Sequence, residues 1–191
     1  MSHLSHLEGY RISSGRLHFS GCDTVALVEQ FGTPLYVISE DIAREKCRRY
    51  VQAFKSQQVQ ATVAYAGKAF LTTGFCGLLK NEAMGLDVCS GGELYTARAA
   101  GFPMDRVLFH GNNKTIEEIR LALEFGVARF VVDNLHELHL LNDLAAQRGI
   151  VQSIFFRATP GINTHTHSHI QTGHLDTKFG FGIENGQAEE A

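Results

Sequence analysis

Asp87-Val88-Cys89-Ser90-Gly91-Gly92-Glu93-Leu94 closes an apolar run and opens a helix without a linker between them. Ser90 and Glu93 have the spacing of a capping box, and Gly101 stands where the helix would end. A run of this kind is one half of a strand–helix unit, so the fold depends on whether it recurs. Apolar runs end near Tyr65, Val88, Phe109, Val132 and Phe156, 21 to 24 residues apart. Between them, Thr115 with Glu118 makes a second capping box, Ile116, Ile119 and Leu123 share one face, and Gly126 can close the helix. Asn134 with Glu137 makes a third, with Leu138 and Leu141 turned inward and Gly149 at the end. Such alternation predicts a parallel sheet with helical crossovers.

No G-x-G-x-x-G follows the first of these strands, which removes the main support for a dinucleotide-binding sheet. In a barrel, working residues sit just past the C-terminal ends of the strands. Those positions hold Lys68, Asp87 with Ser90, His110, Asp133 and Arg157. The expected fold class is therefore α/β, a partial (β/α)8 TIM barrel of about five units over residues 39–191. A full barrel takes about 250 residues, so the chain is expected to be incomplete. Gln187-Ala188-Glu189-Glu190-Ala191 reads as the opening of another helix. Residues 1–38 form a separate segment. Its periodicity is weak to about Gly32, and Thr33–Ile38 then reads as a short strand with Pro34 at its start, where a missing N–H is tolerated. Asp41–Phe54 follows as a helix whose basic run (Arg44, Lys46, Arg48, Arg49) is a solvated face.

The 191 residues are 44% hydrophobic and 19% charged, a globular composition. A net charge of −3 gives no sign of a nucleic-acid or membrane surface. The four cysteines form no C-x-x-C pair, and Met1–Tyr10 contains no apolar signal core, so a cytoplasmic protein with reduced thiols is expected. Cys89 reads as core packing. His165, His167, His169 and His174 alternate as zinc ligands can, but no carboxylate or cysteine completes a set; no metal is expected, and the stretch reads as an active-site loop.

Lys68 stands just past the first barrel strand. The default for a lysine is solvent exposure. At a barrel mouth, partial burial instead favours a neutral, nucleophilic amine suited to a carbonyl cofactor. Arg157 leaves the apolar run Ile154-Phe155-Phe156 and needs an anionic or hydrogen-bonded partner if it points inward.

Five motifs in order carry a resemblance. Tyr65-Ala66-Gly67-Lys68-Ala69 resembles the cofactor-lysine motif of the alanine-racemase-like (fold-type III) pyridoxal-phosphate decarboxylases. Asp87–Leu94, His110-Gly111-Asn112-Asn113-Lys114 and Arg157-Ala158-Thr159-Pro160-Gly161 are similar to the family's segments after the second, third and fifth strands. His165-Thr166-His167, Thr172-Gly173 and Lys178-Phe179-Gly180 together resemble its diaminopimelate branch.

The resemblance implies that Lys68 is the catalytic residue and binds pyridoxal 5'-phosphate as a Schiff base. It places Asp87, Glu93, His110 and Arg157 around the cofactor. It implies decarboxylation of meso-diaminopimelate to L-lysine by a homodimer with shared active sites. The glycine-rich phosphate segment, the glutamate facing the pyridine nitrogen and a C-terminal β-domain joined by the Thr33–Ile38 strand are expected beyond residue 191. So are a cysteine and a tyrosine that the partner subunit contributes to the substrate site. The fragment alone is expected to be inactive. Glu93 can equally serve only as a helix cap, Asp87 as a strand end and His110 as a histidine satisfied by backbone. Other readings are an ornithine, arginine or carboxynorspermidine decarboxylase, a racemase, a non-catalytic relative that binds the cofactor, or a zinc hydrolase built on the histidine-rich loop.

Overall fold

The computed structural model describes residues 8–161 and 179–191. The histidine-rich stretch from His165 to His174, with Thr172, Gly173 and Lys178, lies outside the described residues. The chain divides into two compact units, Met1–Thr62 and Val63–Ala191, a division that falls after the basic helix.

In the first unit, β1 (Tyr10–Ser13), β2 (Arg16–Phe19) and β3 (Cys22–Asp23) form an antiparallel meander. Ser13 pairs with Arg16 and Phe19 with Cys22, leaving the two-residue turns Ser14-Gly15 and Ser20-Gly21. All four turn residues have positive φ, as the type I′ turns that match strand twist require. Gly15 and Gly21, in the stretch of weak periodicity, are thus hairpin-turn residues. Helices α1 (Thr24–Phe31) and α2 (Glu40–Ser56) follow, capped by Asp23 and Ser39. On α2 the basic run is mostly exposed, with Arg44 paired to Glu40 and Lys46 to Glu8. The strand expected over Thr33–Ile38 does not form. A strand is defined by its ladder, and no described strand pairs with this segment, which leaves Tyr36 96% exposed.

In the second unit, β4 (Ala64–Ala66), β5 (Gly85–Val88), β6 (Val107–Phe109), β7 (Arg129–Val132) and β8 (Ile154–Phe156) pair in sequence order, all parallel. Helices α3 (Thr73–Asn81), α4 (Gly91–Ala99), α5 (Ile116–Phe125) and α6 (Leu135–Ala146) connect them and pack on one another in order. This is the predicted alternation, five parallel strands with four connecting helices, as an open sheet rather than a closed barrel. Leu86, Val88, Val107, Phe109, Phe130 and Val132 are fully buried beneath Leu79, Leu94, Ile119 and Leu141 of the helices. Alternation along β5 turns Asp87 to the face opposite Leu86 and Val88. Then β9 (Ala158–Thr159) pairs in parallel with β10 (Phe181–Gly182), and α7 (Gln187–Glu190) ends the chain as the expected helical turn.

The three capping signals resolve differently. Thr115 and Glu118 form the reciprocal box, and Gly126 closes α5 in the left-handed conformation. At α4 and α6, Ser90 and Asn134 cap the helix, but the glutamates reach one residue further back. Glu93 accepts the Cys89 N–H at 2.5 Å and Glu137 the Asp133 N–H at 3.2 Å. Strand and helix are so close there that the orphan donor lies at the strand end.

Glu118 also accepts the Gly91 N–H at 2.7 Å, tying α4 to α5. Burial would raise its carboxyl, but bonds from the Thr115 and Gly91 amides and the Thr115 hydroxyl outweigh this and hold it low. Thr115→Ala is expected to cost about 1 kcal/mol, with Thr115→Ser close to wild type, in urea unfolding of the protein. Equal midpoints for the alanine and serine variants would contradict the cap.

Candidate active-site cleft

The parallel pairing carries every strand's C-terminal end to one edge of the sheet, and a cleft of about 390 Å³ opens there. Lys68, Asp87, His110 and Arg157 line it together, from the ends of β4, β5, β6 and β8. Lys68 sits in a 3-10 turn, Gly67–Ala69, that continues directly from β4. It is exposed at the cleft mouth, the default position for a lysine. Gly67 lets this turn approach β5, since a Cβ there would lie 3.2 Å from the Asp87 carbonyl oxygen.

Asp87 and His110 face each other, with Oδ2 3.4 Å from Nδ1. Asp87 Oδ1 and His110 Nε2 are buried without a partner among the described residues. Buried polar atoms are normally satisfied, so two orphans in one cleft mark a place where a polar ligand would complete the bonding. Glu93 is not in the lining. It lies behind it, with its carboxylate on the Cys89 amide and its Cδ 3.7 Å from a Cβ built on Gly67.

Arg157 has the anionic partner that its position required. Its Nη1 donates to Asp133 Oδ1 at 3.1 Å, and the guanidinium lies 4.3 Å from the Phe179 ring centroid. Asp133 is almost wholly buried, and its second oxygen accepts the Gly180 N–H at 3.1 Å. Gly180 must be small here, because a Cβ would collide with the Arg157 carbonyl.

Three parts of the site were not assigned from sequence. Asn112, Asn113 and Phe179 join the lining. Lys114, quoted above only within a motif, is buried and donates to the carbonyls of Gly111 and Val131 and to Glu137. Cys89 is not core packing but a half-buried wall of the cleft. Burial, then the nearby Asp87 and Glu93 carboxylates, push its thiol above the ordinary range. The signal available in the sequence was position: Cys89 directly follows β5, which carries Asp87, and Lys114 directly precedes the Thr115 helix cap.

Among the described residues no group of three or more histidine, cysteine or acidic side chains could hold a metal, and no helix is long and apolar enough to cross a membrane.

Residues 40–191 match the family described as pyridoxal-dependent decarboxylase, pyridoxal binding domain. The chain is 49% identical to the diaminopimelate decarboxylase of Bacillus subtilis and 47% identical to that of Bacillus methanolicus, over 93% of its length. It spans 40–41% of the length of those two relatives. It is also similar to a solved diaminopimelate decarboxylase from M. jannaschii in complex with L-lysine, with a TM-score of 0.86 and 39% identity. That match covers 96% of this chain and 43% of the other. A lysine/ornithine decarboxylase from Vibrio vulnificus matches less fully, at TM-score 0.56, 30% identity, 69% of this chain and 34% of that one.

The raised Cys89 thiol has a direct consequence. Mass-spectrometric mapping of alkylation at neutral pH is expected to label exposed Cys22 first, with Cys89 slower and gaining reactivity as pH is raised. Rapid labelling of Cys89 at pH 7 would contradict this reading of the cleft.

Proposed function

The chain belongs to the pyridoxal-dependent decarboxylases, and on that premise we propose that the whole protein converts meso-diaminopimelate to L-lysine and carbon dioxide, with Lys68 carrying the cofactor. The observation that supports this best is that Lys68, Asp87, His110 and Arg157 meet in one cleft, two of them with orphaned buried atoms. These residues fit pyridoxal phosphate. Lys68 offers an accessible amine to an aldehyde, and the orphaned Asp87 and His110 atoms offer an acceptor and a second polar site to a heteroaromatic ring.

When bound, the cofactor supplies an electron sink for the pair left on carbon as carbon dioxide departs. The chain's own residues do the rest. Lys68 holds the reacting centre at the cleft mouth. Asp87 fixes the Nδ1 side of His110, so that Nε2 faces inward and can hold a proton at the cleft. Arg157 places a permanent positive charge at one wall, where it attracts a carboxylate or orients an acceptor. Asn112 and Asn113 add neutral donors. A proton replaces the lost carboxylate on the substrate carbon.

The choice of diaminopimelate over ornithine or arginine rests on 47–49% identity over 93% of the chain. The proposal includes a homodimer, as the family resemblance implies, and the cytoplasm, where reduced thiols suit the four free cysteines.

In the full-length protein, meso-diaminopimelate is expected to release carbon dioxide and L-lysine, with ornithine and arginine far slower. Lys68→Ala is expected to remove both the pyridoxal absorbance band and turnover. Turnover of ornithine in preference to diaminopimelate would overturn the substrate assignment, and an unchanged band in Lys68→Ala would overturn the role of Lys68.

A further inference from the structure

Lys114 and Glu137 are both deeply buried, with side chains 1% and 6% exposed and Nζ 2.6 Å from Oε1. Burying an ion pair in a small sheet is costly unless both partners are fully bonded. Both are multiply bonded here. Lys114 Nζ also donates to Gly111 O and Val131 O, each at 2.8 Å. The other oxygen of Glu137 accepts the Asp133 N–H. Asp133 in turn holds Arg157 and the Gly180 amide.

These bonds form one continuous chain from the loop after β6, through the ends of β7 and α6, to Arg157 after β8. At both ends it grips parts of the cleft. The Gly111 carbonyl fixes the loop that carries Asn112 and Asn113, and Gly111 has φ +114 with a would-be Cβ only 3.2 Å from Cys89 O, so the loop has one tight seat. The Asp133 carboxylate fixes the Arg157 guanidinium. None of Lys114, Glu137 or Asp133 lines the cleft itself.

We propose that Lys114, Glu137 and Asp133 are positioning residues that act as one buried device, setting Arg157 and the Gly111–Asn113 wall for cofactor binding and turnover. The inference rests on the cleft being the pyridoxal-phosphate site. The alternative is that the same groups only stabilise the sheet. The two differ in what a folded variant does, because a buried ion pair can be exchanged for apolar side chains with little loss of stability.

The test uses the full-length protein with two variants, Asp133→Asn and the double substitution Lys114→Met with Glu137→Leu. Asp133→Asn keeps the side-chain shape and removes the charge facing Arg157. The double variant removes both charges of the pair together. Folding is read by circular dichroism and cooperative unfolding, cofactor affinity by titrating pyridoxal phosphate into the apoenzyme, and turnover by kcat and KM. The expected result in folded variants is roughly tenfold or greater weakening of cofactor Kd, and a kcat fall on the order of tenfold to a hundredfold with KM little changed. Wild-type Kd and kcat in either folded variant would overturn the proposal, and failure of both variants to fold would assign the network to stability alone. A wild-type protein that binds no pyridoxal phosphate would instead remove the reading of the cleft, an outcome visible before any variant is made.

Discussion

Parallel pairing of β4 through β8 is the constraint on which the site depends. Parallel strands need a crossover between each pair, so every strand runs the same way and every C-terminal end reaches the same edge. Residues far apart in sequence become neighbours there without any long-range signal of their own. Lys68 and Arg157 share one cleft because each is the first polar side chain with chemistry past its strand. The helices bury one apolar face of the sheet and leave the other face to carry Asp87.

Electrostatics then separates groups that look alike in sequence. Lys68 and Lys114 both follow strands, yet one is exposed at the cleft mouth and the other is buried with all three of its donors engaged. Glu93 and Glu137 both sit three residues after a helix cap, and both turn back to the strand-end amide. Only Glu137 also meets a lysine. Asp87, in β5, and Asp133, just after β7, both belong to the same rim. Asp87 keeps an orphaned oxygen toward the cleft, while both oxygens of Asp133 are engaged by Arg157 and Gly180. The cleft is therefore lined by groups with bonding capacity left over and backed by groups with none.

The strand rhythm was readable because three of the four crossover helices carry their own local signals after an apolar run: a cap and a closing glycine. Thr115, Glu118 and Gly126 show this most completely. The rim residues followed from the same rhythm, since position past a strand is a sequence property. The N-terminal meander was not readable, because its strands are two to four residues long and its turns use serine where asparagine or aspartate gives the stronger signal. Thr33–Ile38 has strand composition, but composition does not provide a partner. The Lys114–Glu137 pair joins residues on different elements, and nothing in either segment alone distinguishes a buried ion pair from a surface lysine and a helix cap.

The central claim is that the rim of this sheet holds pyridoxal phosphate on Lys68. A crystal structure of the full-length protein grown with the cofactor tests it most directly. The predicted result is electron density continuous with Lys68 Nζ, with Asp87 Oδ1 and His110 Nε2 each within hydrogen-bonding distance of the bound group. Density joined to a different lysine, or a cofactor bound away from the Asp87–His110 cleft, would contradict it.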